Sequence, residues 1–163
     1  MEKEREEQVI SLCQKLIQQK SYSGEESGVV GVLSENMKQM GFDEVTVDKY
    51  GNIIGCIKGN RPGKKVLFDG HIDTVPVTEE AEWLYPPFAA EIHDGKIYGR
   101  GTSDMKGAVA AMTCAASNYA KDTGKDFAGE IYVAGVVHEE CFEGVAAREI
   151  NKSVRPDYVV IGE

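Results

Sequence analysis

Ile131-Tyr132-Val133-Ala134-Gly135-Val136-Val137-His138-Glu139-Glu140 is the stretch from which the fold can be read. Its apolar part is too short for a typical helix and too continuous for a strand with one wet face. It reads as a strand covered on both sides. It then ends abruptly in two adjacent carboxylates. Two other short apolar runs behave the same way: Val66-Leu67-Phe68 leads into Gly70-His71-Ile72-Asp73, and Tyr158-Val159-Val160-Ile161 leads into Gly162-Glu163. Each predicts a buried strand with charged or imidazole side chains just past its carboxyl end.

Helical signals separate these strands. Val9, Ile10, Cys13, Leu16 and Ile17 recur at helical spacing, which predicts an amphipathic helix over residues 4–19. Ser23-Gly24-Glu25-Glu26 has the form of a capping box, opening a helix whose apolar face is Val29, Val30, Leu33, Met37 and Met40 and whose stop is Gly41. Strands over 45–47 and 53–57 flank Gly51-Asn52, and Arg61-Pro62-Gly63 reads as a turn. Ile92 and Ile97 flank Asp94-Gly95, a hairpin signal. An alanine-rich helix is expected from Met105 to Tyr119 and a short one from Val145 to Ile150. Strands alternating with helices predict an α/β fold, with a mostly parallel central sheet flanked by helices.

The chain has 163 residues, enough to bury one core and no more. No apolar run approaches the ~20 residues of a membrane span, and the charged start, Met1 to Glu7, has no signal-peptide core. A net charge of −9 argues against nucleic acid as a partner. Cys13, Cys56, Cys114 and Cys141 form no CxxC pair, and the first three sit in apolar patterns, as expected of reduced thiols in a cytoplasmic protein.

In open α/β sheets, ligands bind beyond the carboxyl ends of the strands. His71, Glu139, Glu140 and Glu163 fall there, and Asp104 lies at the mouth of the alanine-rich helix, between glycines. This set predicts a metal site. Asp73 is placed to accept the second ring N–H of His71, which would fix its tautomer. Glu139 and Glu140, adjacent on an extended segment, would point in opposite directions and so differ in role. His93 and His138 read as structural.

The sequence resembles the aminoacylase, acetylornithine deacetylase and succinyl-diaminopimelate desuccinylase family of two-metal amidohydrolases and peptidases. The resemblance is carried by Gly70-His71-Ile72-Asp73-Thr74-Val75-Pro76, by Tyr98-Gly99-Arg100-Gly101-Thr102-Ser103-Asp104-Met105-Lys106-Gly107, by Glu139-Glu140 with Gly144, by Trp83 with Pro87-Phe88, and by Ile161-Gly162-Glu163. Within that family it looks most similar to the selenium-metabolism-linked hydrolases.

The resemblance implies that His71, Asp104 and Glu163 hold one divalent ion, and that Asp104 bridges to a second held also by Glu140. Glu139 would be the general base, Asp73 the partner of His71, and the Asp104–Met105 peptide cis. Zinc is the expected metal, with cobalt or manganese as alternatives. It implies small peptide or N-acyl amino acid substrates and a homodimeric full-length enzyme. Residues 1–163 correspond to the N-terminal part of the catalytic domain. A histidine ligand, the lid and dimerisation domain and the C-terminal part of the catalytic domain would lie outside these residues. At most one ion would then be bound tightly here, and the isolated chain would be a catalytically inactive α/β module.

Overall fold

The computed structural model describes residues 2–142 and 144–163. Helix α1 (Glu2–Ile17) and helix α2 (Ser27–Gln39) precede strands β1 (Glu44–Val47), β2 (Ile53–Lys58) and β3 (Arg61–His71). A hairpin of β4 (Glu91–His93) and β5 (Lys96–Tyr98) follows, then helix α3 (Gly107–Thr123), strand β6 (Ala128–Val136), the single turn α4 (Glu139–Phe142), helix α5 (Val145–Val154) and strand β7 (Tyr158–Ile161).

The main sheet has the order β1-β2-β6-β3-β7. The apolar runs chosen from the sequence make its parallel half, since β3 pairs in parallel with both β6 and β7. The other half is antiparallel, β1 against β2 and β2 against β6. The sheet is therefore α/β and flanked by helices as expected, but mixed rather than mostly parallel. The link from Val47 to Ile53 and the link from β2 back into the sheet are too short to carry a crossover helix.

Helices α2 and α3 cover one face. A Cβ at Gly70 would come within 2.9 Å of Met112 and one at Gly135 within 3.1 Å of Leu33, so these glycines let helix side chains reach the strands. Asp69 and His71 alternate with Gly70 and so face the opposite side, where they share a cavity wall with Ala147 of α5. Leu16, Ile17, Val29, Leu33, Met37, Ile53, Leu67, Val109 and Val133 form the core. Cys13, Cys56 and Cys114 are buried free thiols and Cys141 is exposed, matching the sequence reading. Among the described residues no helix is long and apolar enough to cross a membrane.

Four local expectations need correction. Arg61-Pro62-Gly63 is no turn but the start of β3, displaced by a register shift between Arg61 and Lys65. The helix expected from Met105 begins at Gly107, because Thr102–Lys106 forms a wide turn in which Asp104 and Met105 leave helical torsions. Ser23 does not cap α2: the N-cap position is Glu26, with no side-chain cap bond. Finally, β7 is not buried, since its four residues are 42% to 67% exposed. It is an edge strand paired with β3 alone, and its apolar sequence could not reveal what lies on its faces.

The register shift predicts a stability effect remote from the site. Gly129 has φ +92°, and a Cβ there would lie 2.0 Å from the Lys64 carbonyl oxygen. Gly129→Ala should cost about 2 kcal/mol or more, since strained torsion and backbone clash act together. An unchanged urea midpoint would contradict this packing.

Candidate metal centre

Parallel register brings the site together. His71 ends β3 level with Val136 of β6, and Asp69 lies level with Ile161 of β7, which places Glu163 two residues on, beside His71. The Gly162 amide donates to the Asp69 carbonyl at 3.0 Å and continues that ladder. Beyond β6, the buried Asn52 side chain accepts from the Val137 amide at 3.0 Å, and His138 adopts φ +58°. This left-handed residue turns the chain into α4. Glu139 and Glu140 thus stand on a helical turn, not on the extended segment expected. They still diverge, since successive residues on a helix point about 100° apart.

His71 is 2% exposed. Its Nε2 lies 2.9 Å from Asp104 Oδ1, and its Nδ1 lies 3.0 Å from the Asp73 carbonyl oxygen and 3.6 Å from Asp73 Oδ1. Asp73 does orient the ring, chiefly through its backbone. Its carboxylate, with no exposed surface, is engaged elsewhere. Oδ1 accepts from the Glu139 amide at 3.1 Å, while Oδ2 accepts from the Glu140 amide at 3.1 Å and from the Ser23 hydroxyl at 2.6 Å. Ser23 therefore serves a charged acceptor, a stronger bond than the helix cap it was expected to make. Asp104 stands on the wide turn with its side chain 65% exposed, and the Asp104–Met105 peptide is cis, as the resemblance implied.

The remaining carboxylates converge on the same imidazole. Ligand atoms of His71, Asp104 and Glu140 lie within 4.8 Å of one another, and so do those of His71, Glu139 and Glu163, so Asp104 and Glu163, expected on one ion, fall in different groups that share His71. Electrostatics follow from this crowding. Burial opposes charge on His71, but its hydrogen bonds to Asp73 and Asp104 outweigh it and raise its pKa to about 9. Burial likewise opposes charge on Asp73, yet its donors hold it below the usual carboxylate range. Glu139 is raised by burial and by nearby Glu163, Asp73 and Glu140; Glu140 is raised by burial and by Asp104 and Asp73.

Two residues that the sequence reading passed over belong to this environment. Asp69 is 8% exposed, and burial followed by repulsion from Glu139 and Glu163 pushes its pKa up to about 6. Its position two residues before His71, on the same strand face, was the available signal. Lys106 is fully buried, and its ammonium donates to the carbonyls of Leu16 at 3.1 Å and Gln19 at 2.7 Å. Burial lowers its pKa to about 8. It ties the Asp104 turn to the end of α1. His93 is structural, as expected: its ring stacks on Tyr85 at 3.8 Å and its Nε2 lies 2.7 Å from Glu91.

The donor set of one imidazole and several mutually repelling carboxylates fits hard or borderline divalent cations. Residues 67–163 match the model of peptidase family M20/M25/M40. The chain belongs to this family. It is 34% identical, over 94% of its length and 42% of the relative's, to succinyl-diaminopimelate desuccinylase of Vesicomyosocius okutanii subsp. Calyptogena okutanii (strain HA).

Its fold matches an M20 family metallo-carboxypeptidase from Sulfolobus solfataricus with a TM-score of 0.79 at 21% identity, covering 94% of this chain and 37% of that one. It matches a dinuclear metal-binding M20 peptidase of Bacillus subtilis with a TM-score of 0.70 at 17% identity, covering 99% and 43%. The chain thus spans about two fifths of the length of these relatives.

Asp73 offers a direct check on the local geometry. In Asp73→Asn, whichever way the amide sits, an N–H faces a backbone N–H. The metal-free variant should lose about 1–3 kcal/mol of stability in urea unfolding. A midpoint equal to that of the parent chain would show that the carboxylate does not hold the Glu139 and Glu140 amides.

Proposed function

We propose that this chain carries most of the metal centre of a metal-dependent hydrolase of amide bonds, acting on small peptides or N-acyl amino acids. The observation that carries this reading is the pair of ligand groups sharing His71, one reaching Asp104 and Glu140, the other reaching Glu139 and Glu163. Membership of a peptidase family, and relatives named as a desuccinylase and a metallo-carboxypeptidase, support the reaction class.

In this reading His71, Asp104, Glu140 and Glu163 would hold the metal, and Glu139 would be the general base. Zinc suits one imidazole among carboxylates, with cobalt or manganese as alternatives. Bound there, divalent ions supply an acidified water and polarise the scissile carbonyl. Glu139, whose pKa burial raises above its ordinary value, would take a proton from the attacking water and give it to the leaving amine. Asp73 keeps the His71 ring and the Glu139 and Glu140 amides in place throughout.

Residues 1–163 form the N-terminal part of the catalytic domain in this proposal, and the full-length enzyme is a cytoplasmic homodimer. The four free thiols are in keeping with a reducing compartment. Among the described residues, His71 is the one histidine in either ligand group. Because both groups need that one imidazole, three protein ligands, the usual number for a catalytic zinc, are available to one ion at a time. The isolated chain should therefore bind one zinc tightly, a second weakly, and hydrolyse nothing efficiently.

Calorimetric titration with zinc, paired with thermal melting, tests the centre. One tight ion and a rise in Tm are expected, because metal binds the folded state preferentially. No binding with no thermal shift, or two equally tight ions, would overturn the ligand assignment. In the active enzyme Glu139→Gln should lower kcat by about 100-fold with metal content unchanged. Loss of metal would instead exchange the roles of Glu139 and Glu140.

A further inference from the structure

The link between α1 and α2 supplies none of the candidate ligands, yet it touches the segments that carry His71, Asp104, Glu139 and Glu140. The Ser21 hydroxyl donates to the Ile72 carbonyl at 2.7 Å, and the Ser21 carbonyl accepts from the Thr74 amide at 2.9 Å. Ser23 reaches Asp73, and Lys106 reaches back to Leu16 and Gln19. The last member of this link is Glu26, which the sequence presents as part of a capping box. Its Oε1 accepts from the Gly24 amide at 2.9 Å and from the His138 amide, 112 residues away, at 3.0 Å.

Helix α2 does not account for this arrangement. Glu26 occupies the N-cap position without making a cap bond, and it is 5% exposed. Leaving a helix end uncapped and burying a carboxylate are both unfavourable. What the carboxylate reaches is the one residue whose left-handed torsion, φ +58°, turns β6 into α4. The same His138 ring lies 3.6 Å from the Cβ position of Gly24, and its Nδ1 lies 3.8 Å from Glu26 Oε1. A non-glycine residue keeps such a torsion when its surroundings hold it.

We propose that Glu26 is a positioning residue for the metal centre: by accepting the His138 amide it fixes the turn that aims Glu139 and Glu140 at His71. Asp73 holds the next two amides, so three consecutive N–H groups, of His138, Glu139 and Glu140, are each taken by a buried carboxylate. The inference rests on the proposed metal centre for its functional meaning, and on the hydrogen bonds alone for its structural one.

Two substitutions separate reach from charge. Glu26→Gln keeps an oxygen at the same distance and removes the charge; Glu26→Asp keeps the charge and withdraws it by one methylene. Amide hydrogen exchange at residues 138–140 is read in the metal-free chain, zinc affinity by calorimetry, and overall stability by thermal melting. Glu26→Gln should leave exchange and zinc Kd within about threefold of the parent. Glu26→Asp should speed exchange at His138 and weaken zinc by about tenfold or more, the usual scale for groups that orient ligands.

Damage in Glu26→Gln equal to that in Glu26→Asp would overturn the proposal, and so would a fall in Tm for Glu26→Asp with exchange and zinc affinity unmoved. Should the parent chain bind no zinc, the metal centre itself fails, and exchange at His138 alone decides whether Glu26 holds the turn.

Discussion

A carboxylate with no access to water must find its hydrogen-bond donors inside the protein, and Asp73 finds them on three separate segments. It draws in the Ser23 hydroxyl from the α1–α2 link and the Glu139 and Glu140 amides from beyond β6, while standing at the end of β3 beside His71. These bonds join elements that the sheet alone would leave merely neighbouring. The ring of His71 takes its orientation from the Asp73 carbonyl for the same reason, since the carboxylate is already engaged.

On that framework the protein assembles something that is unfavourable without a cation. Asp69, Asp104, Glu139, Glu140 and Glu163 crowd around one imidazole, and the pKa values of Asp69, Glu139 and Glu140 rise through burial and mutual repulsion. Electrostatic strain of this kind is characteristic of functional sites. The sheet makes it possible. Parallel neighbours end at one edge, so side chains distant in sequence arrive there together, and backbone pairing rather than side-chain attraction holds them close.

Segments outside the candidate ligand groups hold much of this geometry. Lys106 anchors the Asp104 turn to the Leu16 and Gln19 carbonyls at and just past the end of α1. Asn52 holds the Val137 amide, and Glu26 the next one. The chain from Leu16 to Glu26 is thus the common support of the loops that carry His71, Asp104, Glu139 and Glu140, although it reads in the sequence as a simple helix-to-helix connection.

What the sequence determined by itself was local and compositional. The apolar runs, the glycine stop at Gly41 and the alanine-rich helix made the α/β class legible, because burial pattern and torsional preference are properties of short segments. Position at strand ends marked His71, Glu139, Glu140 and Glu163, while Asp73 stood out as the companion of His71 and Asp104 by the glycines around it.

Tertiary structure decided the rest. The antiparallel half of the sheet and the exposure of β7 depend on which strands become neighbours, which periodicity does not encode. Whether Ser23 caps a helix or serves Asp73 depends on a competition between a local amide and a buried charge 50 residues away. Glu26 makes the same choice over a longer distance. Such competitions are settled only when the chain has folded and the stronger, less solvated acceptor or donor has come within reach.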